Sequence, residues 1–379
     1  MRILLVGEYS RLHNSLKEGL VLHGHRVTLI ATGDYFKGYP ADILLKRKFE
    51  SGVLKKIKVL LYRIFKIDIT SENLKKQFFN QSEKLKGFDV VQLINESPFG
   101  ALPKDEIKII RFLHKHNGKL FLLCCGTDYN SVTYLLNNKT RYDILWGYKN
   151  KSIPEKKYEF ATKYVKPSFK VLHKKIQPLL RGIIASDLDY HIPLQGNSKY
   201  LGLIPNPVNV DKIKELPLQR DTKISIFLGI NKNNYHTKGI SYFEEALAII
   251  TKKYGECVSV TISENIPYQQ YINLYDQAHI LLDQVLGWDQ GYNALEAMAK
   301  GKVVFTGAES EFLEQYQVKE DEVCINALPD VPYLVSKLED LIIHPEKILK
   351  IGENARSFIV KHHHYRQVAE TYLKTWEEN

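Results

Sequence analysis

The chain reads as an α/β protein made of two doubly wound, mainly parallel halves. A strand, a helix and a second strand follow one another within the first thirty or so residues, the opening of a βαβ unit. The same alternation restarts near residue 223, after a connector stiffened by Pro205 and Pro207. A third such step spans 279–306, where two apolar runs flank a short stretch of helix formers between Gly291 and Gly301. A length of 379 residues suits two domains better than one.

Composition narrows the function classes. No apolar run approaches the length of a membrane span, so an integral membrane protein is excluded. The opening run from Met1 to Gly7 is too short for a secretory leader and reads as a core strand. Cys124, Cys125, Cys257 and Cys324 lack metal or redox spacing, which predicts reduced thiols and a cytoplasmic setting. A formal charge of +10 suits an anionic partner: a nucleotide diphosphate, an acidic membrane surface or nucleic acid. No zinc-finger, helix-turn-helix or RNP-like motif is present, so nucleic acid is not expected.

In chain order, Arg2–Val6 is the first buried strand and Gly7 to Ser10 the loop at its end. Leu12, Leu16, Leu20 and Leu22 mark the apolar face of the next helix, and 25–30 the next strand. This opening lacks the three glycines of a dinucleotide fingerprint, so nicotinamide and flavin cofactors are not expected. Ligands of open α/β sheets bind beyond strand carboxyl ends, which brings Gly7, Glu8 and His13 to a cleft. For His13 the alternative is an exposed loop histidine.

Between 44 and 66, eight lysines and arginines interleave with Leu, Ile, Val, Tyr and Phe, and only Glu50 opposes them. Two readings fit. One is an amphipathic helix against an anionic bilayer. The other is an ordinary helix packed on the sheet with a solvated lysine face. Further strands follow at 88–94 and 119–125, the second running into Gly126, Thr127 and Asp128. Asp128 suits a helix N-cap and also a group that orients a ligand hydroxyl; the two roles are compatible. A second basic and aromatic stretch covers 149–175, an acceptor groove or a solvated face, and 182–186 is the strand after it.

In the second half, 223–229 is a strand whose loop carries Asn231 and Lys232 toward Lys238 and Gly239. Phe243, Ala246, Leu247 and Ile250 face inward from the helix beyond. Strands at 257–262 and 279–285 follow, the latter ending near Asp283. The helix after Gly291 then directs free N–H groups past the strand ends, where a phosphate can sit. Glu296 lies one turn into that helix, and Glu309 closes the following strand.

These residues resemble the signature of retaining GT-B glycosyltransferases of the family 4 type. Glu296-Ala297-Met298-Ala299 and Gly301 match it as they stand, with Gly291 at the expected spacing. The phrases at Gly24 to Val27, Gly126 to Asp128, Ile204 to Val208, Lys238-Gly239 and Ile351 to Arg356 are similar to the family's in the same order. Three positions depart. Trp288 stands where the family has an acid, with Asp289 one step later; Val303 replaces the family's usual strand proline; and the arginine that usually precedes Lys-Gly is absent.

The resemblance implies a GT-B fold: two Rossmann-like domains facing across a cleft, with a C-terminal helix crossing back to the first. It places an acceptor domain at 1–204, a linker at 205–222, a nucleotide-sugar domain at 223–358 and the returning helix at 359–379. It implies a retaining hexosyltransferase that needs no metal and no resident cofactor. Such an enzyme moves a sugar from a nucleotide-diphosphate donor to a glycan or lipid-linked acceptor in cell-surface polysaccharide synthesis. The expected setting is the cytoplasm, with peripheral contact at the inner face of an anionic membrane.

The implied catalytic set is Lys238, Glu296, Asp289 and Asp128. Within it Glu296 would hold the donor ribose, and Lys238 with Lys232 the diphosphate. Asp289 or Asp283 would hold the sugar hydroxyls. Gly7, Asn231, Ile266, Gly291, Tyr292 and Asn293 complete the donor site, Ile266 lying in a loop that meets the base mainly through backbone. Glu8 and His13 face the acceptor. A nucleotide-sugar 2-epimerase of the same fold, or a non-catalytic GT-B protein that binds a sugar nucleotide, are the competing implications.

Overall fold

The computed structural model of the chain describes residues 1–34, 38–138, 140–216, 223–264, 266 and 268–379, with Tyr268 and Gln269 described by backbone alone. Residues 217–222 of the expected linker, and 265 and 267 of the expected base-contacting loop, lie outside them.

Two parallel sheets form the frame. The first has seven strands: β1 Arg2–Val6, β2 Arg26–Ala31, β3 Ile43–Leu44, β4 Val90–Leu93, β5 Lys119–Cys124, β6 Gly182–Ala185 and β7 Tyr200–Leu203, in the order β3-β2-β1-β4-β5-β6-β7. The second has five: β8 Ile224–Ile230, β9 Val258–Glu264, β10 Ile280–Leu282, β11 Val303–Thr306 and β12 Ile325–Asn326, in the order β12-β11-β10-β8-β9. Along β1, Leu4 and Val6 pack into one hydrophobic cluster while Ile3 and Leu5 pack into another. That is why the strand reads as a continuous apolar run rather than an alternating one. Strand order reverses between β1 and β4 in the first sheet and between β8 and β10 in the second. Crevices for ligands open at those points, beyond the carboxyl ends.

The three strands the sequence did not announce, β3, β7 and β12, are all short and lie at or next to sheet edges. The helix after β1 spans Leu12–Leu22 and buries Leu12, Leu16 and Leu20 as expected. Leu22 does not join them. It is exposed at the last turn, where the helix has run past the sheet.

The halves are tied by the chain's end. The helix Glu346–His362 belongs to the second half; it breaks at His363 and His364, and Tyr365–Glu378 returns to the first. There it crosses the helix Leu12–Leu22 at Gly19, where an added Cβ would lie 2.4 Å from the Tyr365 carbonyl oxygen. Trp376 is fully buried, and its Nε1 donates to Gln92 Oε1 at 3.0 Å. The His363 ring, also buried, bonds the Asn206 carbonyl at 2.9 Å through Nδ1.

The basic stretch near residue 50 does not pack on the sheet. It forms the helix Gly52–Phe65, none of whose residues is buried. No described helix is long and apolar enough to cross a membrane.

Candidate active site

The second sheet builds one half of the site at its switch point. β8 leads through the turn at 231–239 to Lys238, and β10 ends at Asp283. Lys238 Nζ lies 2.6 Å from Asp283 Oδ1, and the carboxylate is buried. Asn293 Nδ2 stands 3.5 Å from the same oxygen, and Thr306 Oγ1 lies 3.4 Å from Oδ2. The turn is held because the Lys238 carbonyl accepts from the Val285 amide at 2.9 Å, and because Gly239 adopts φ 64. A side chain at Gly239 would also collide with Val285.

Gly291 caps the helix Tyr292–Ala299, and its α-carbon faces Asp283: an added Cβ would sit 3.6 Å from Oδ2. The positive end of that helix therefore points into the space beside the Lys238 ammonium. Tyr271 and Tyr275 fix Asn293, the first through its side-chain oxygen at 3.0 Å and the second through its carbonyl at 2.9 Å. Glu296 is one turn further on the same helix face. Burial raises the Tyr275 phenol, and Glu296 and Asp283 both add to it, so the two carboxylates share one neighbourhood.

The first sheet supplies the opposing wall. Gly7 takes φ 88 at the end of β1, and an added Cβ would meet Ile94 at 2.3 Å and the Pro98 carbonyl at 2.9 Å. Arg11, in the same loop, is half-buried, which works against its charge, but the Glu18 carboxylate and, more weakly, Glu296 of the second half hold its guanidinium above its ordinary value. Tyr292 bridges the halves. Its hydroxyl lies 2.7 Å from Ser15 Oγ and donates to the Pro207 carbonyl at 2.9 Å.

His13 is fully buried, so it is not an exposed loop histidine. Its Nδ1 bonds the Gly7 carbonyl at 2.8 Å, and burial lowers its pKa to about 4. Glu8 Oε2 accepts from the Asn14 amide at 2.8 Å and from Asn14 Nδ2 at 2.6 Å, while burial raises the acid to about 8. Asp128 caps the helix Tyr129–Asn137 in a capping box with Ser131, its Oδ1 accepting from the Ser131 amide at 2.7 Å.

Among the described residues, four buried polar atoms along this edge have no hydrogen-bond partner: Glu8 Oε1, His13 Nε2, Glu96 Oε2 and Asp128 Oδ2. Buried polar atoms are normally paired, so each of these leaves a bonding position open. Glu96, which the sequence does not mark as a site residue, lies just beyond β4 and pairs with His173, a residue 77 positions away, on which the Tyr129 ring stacks at 4.2 Å. Burial, and the nearby Asp128 charge, push the Glu96 acid up, against the pull of His173.

Other expected site residues stand apart. Asp289 turns away from Asp283 into the seam between the halves. Its Oδ2 accepts from the Leu188 amide at 3.0 Å and its Oδ1 from the Gln290 amide at 2.7 Å. Trp288 is pinned beside it, its amide donating to Asp189 and its indole Nε1 to the Tyr142 carbonyl, both at 3.0 Å. Lys232 is exposed and pairs with Glu264 at 2.5 Å, bridging the ends of β8 and β9. The Asn231 side chain accepts from the Asn233 amide at 3.0 Å and holds the local turn. Ile266 is half-buried beyond β9. Glu309 pairs with Arg141 of the first half at 2.9 Å and with Asn326. Among the described residues, no three His, Cys, Asp or Glu side chains gather as a metal site.

Two parallel doubly wound domains, a crevice between their switch points and a C-terminal helix crossing back define the GT-B architecture. Residues 234–374 match the family profile described as Glycosyl transferase-like. Sucrose-phosphate synthase from Thermosynechococcus elongatus superposes with a TM-score of 0.63 at 15% identity, covering 100% of this chain and 98% of that one. HepE of Anabaena, solved with UDP and glucose, gives 0.60 at 10% identity and covers 100% of both. A putative UDP-N-acetylglucosamine 2-epimerase from Listeria monocytogenes gives 0.53 at 10% identity, with 98% and 94% covered. At these identities the likeness is one of fold. None of the curated proteins matches the chain.

Proposed function

We propose that the protein is a retaining, metal-independent glycosyltransferase that moves a hexose from a nucleotide diphosphate to a glycan or lipid-linked acceptor. Its place is cell-surface polysaccharide synthesis at the inner face of the membrane. The observation that carries the reading is the Lys238–Asp283 pair at the mouth of the Gly291 helix, with Glu296 on the same face. In the reaction the bond from the anomeric carbon to the β-phosphate oxygen breaks, and a bond to the acceptor oxygen forms on the same face. The acceptor proton passes to the departing phosphate. The leaving diphosphate gains negative charge, and here an ammonium and a helix N-terminus are in place to stabilise it.

In this reading Lys238 binds the diphosphate, Asp283 rather than Asp289 receives sugar hydroxyls, and Glu296 takes the ribose. Gly7 gives the turn at the end of β1 its left-handed backbone and its close packing on Ile94 and Pro98, beside the donor. Glu8, His13, Glu96 and Asp128 offer their unpaired atoms to acceptor hydroxyls. HepE was solved with UDP and with UDP-glucose, so uridine nucleotides are the first donors to try. A thermal-shift screen of nucleotide sugars tests donor binding, because a tight ligand raises stability by mass action. Transfer of label from the stabilising donor to membrane lipid or glycan tests the reaction; no stabilising donor at all would remove the proposal.

The fold likeness to the Listeria protein supports a second reading, a nucleotide-sugar 2-epimerase. Conversion of free donor to its 2-epimer with no acceptor present would decide for it.

A further inference from the structure

The helix Gly52–Phe65 has no buried residue, although half of it is large and apolar. Val53 is 71% exposed, Leu60 56% and Ile64 60%. At 3.6 residues per turn, Val53, Leu54, Ile57, Leu60, Leu61, Ile64 and Phe65 share one arc of roughly 140°. Lys55, Lys56, Lys58 and Arg63 occupy the opposite side, and the helix carries no acidic residue. A face of this kind left in water is unfavourable, since apolar side chains of this size gain stability on burial.

The helix is held beside the cleft. β3 delivers the chain to the carboxyl edge of the first sheet, and Arg47 Nη1 then donates to the Phe99 carbonyl in the loop after β4, at 2.8 Å. On the far side, Thr70 Oγ1 donates to the Lys48 carbonyl at 2.7 Å. Lys58 lies between Glu50 and Asp68, at 3.9 and 3.5 Å, and orients the helix against its own flanks.

We propose that this helix lies in the interface of an anionic bilayer, with its Leu60–Ile64 face among the acyl chains and Lys55, Lys56 and Arg63 among the headgroups. The inference rests on the glycosyltransferase reading and deepens it: the acceptor edge of the cleft is presented to the membrane, so the acceptor is one whose lipid end stays in the bilayer. Charge selects this occupant. An apolar face flanked only by cations complements anionic headgroups over a hydrocarbon layer, whereas a second copy of the same helix would bring like charges together.

The test is vesicle flotation of the full chain, with phosphatidylcholine alone and with mixed phosphatidylglycerol–phosphatidylcholine. Binding is expected to the mixed vesicles only, and to weaken at high salt. Leu60→Glu with Ile64→Glu should lower it at least about tenfold. Lys55→Glu with Lys56→Glu should lower it by about fivefold per cation or more. All four positions are exposed, so thermal stability and donor-induced stabilisation should stay as in the parent. Equal binding to neutral vesicles, no binding to either, or a dimer that L60E/I64E dissociates would overturn the proposal. Loss of donor binding in the parent chain, with vesicle binding intact, would instead sink the glycosyltransferase reading and leave the membrane surface standing.

Discussion

Lys238 meets Asp283 at 2.6 Å where the second sheet reverses its strand order, so the Lys238 ammonium at the head of the Gly291 helix is anchored to a buried carboxylate. The pairing holds a flexible lysine in one place, as the proposed role of a positioned cation requires. Its stem is fixed by the turn, and its charge is held at the helix mouth without being consumed, because an ammonium has three donors.

Lys238→Ala should therefore lower kcat by roughly a hundred- to a thousandfold, the loss typical of one group that stabilises developing charge. It also strands the Asp283 carboxylate, so Tm should fall as well. Lys238→Ala combined with Asp283→Asn separates the two effects: stability should recover and turnover should not. A single variant with near-parental turnover would take Lys238 out of the chemistry.

Asp289 predicts a pH effect on stability rather than on catalysis. Burial raises its carboxyl to about 6 from an ordinary 3.8. The folded state thus holds this proton more tightly than the unfolded state, and the Asp289 contribution to stability falls as pH rises from about 4 through about 6. The full effect is on the order of 3 kcal/mol. Asp289→Asn should flatten that slope in a series of melts. An unchanged slope would show that the seam carboxylate does not titrate in this window.

What the sequence disclosed was mainly what neighbours in the chain decide. Ile3 to Val6 announces a strand buried on both faces because each residue alone is apolar enough to show it. Gly291, Glu296 and Gly301 disclose the helix and its caps within a dozen positions. Asp289 was misleading for the same reason: one step from the expected acid, it looks like a site residue. Its orientation is set by the Leu188 amide, on an element of the other half. The Glu96–His173 pair is equally non-local, and a histidine inside a lysine-rich stretch carries no mark of the carboxylate it will meet. For the helix Gly52–Phe65, periodicity gave the apolar face but not what would cover it.

Tyr292 should behave as a latch between the halves. Its hydroxyl joins Ser15 and the Pro207 carbonyl. Tyr292→Phe removes both bonds and leaves a buried acceptor, which costs about 1–3 kcal/mol. Melting temperature should drop, and donor KM should rise more than kcat falls if the latch sets the width of the cleft. A normal Tm would mean that the Tyr292 hydroxyl adds little to the other contacts that join the halves.

Glu8 gives the sharpest handle on the acceptor side. Burial pushes its acid up to about 8, and the neighbouring His13 is held neutral by a pKa near 4. At neutral pH the Glu8 carboxyl keeps its proton and can offer it to an acceptor oxygen. As pH rises through about 8 that proton is lost, and a buried negative charge appears beside the acceptor oxygen. The same raised acid favours the folded state only while protonated, so its contribution to stability also declines between about 4.5 and about 8. For the parent chain, kcat/KM for the acceptor should fall on the alkaline side of about 8, while donor binding measured by thermal shift stays level. Glu8→Gln keeps a donor in place at every pH and should abolish the alkaline fall. If E8Q shows the parent's profile, the titrating group lies elsewhere and the first-sheet edge does not handle the acceptor through Glu8.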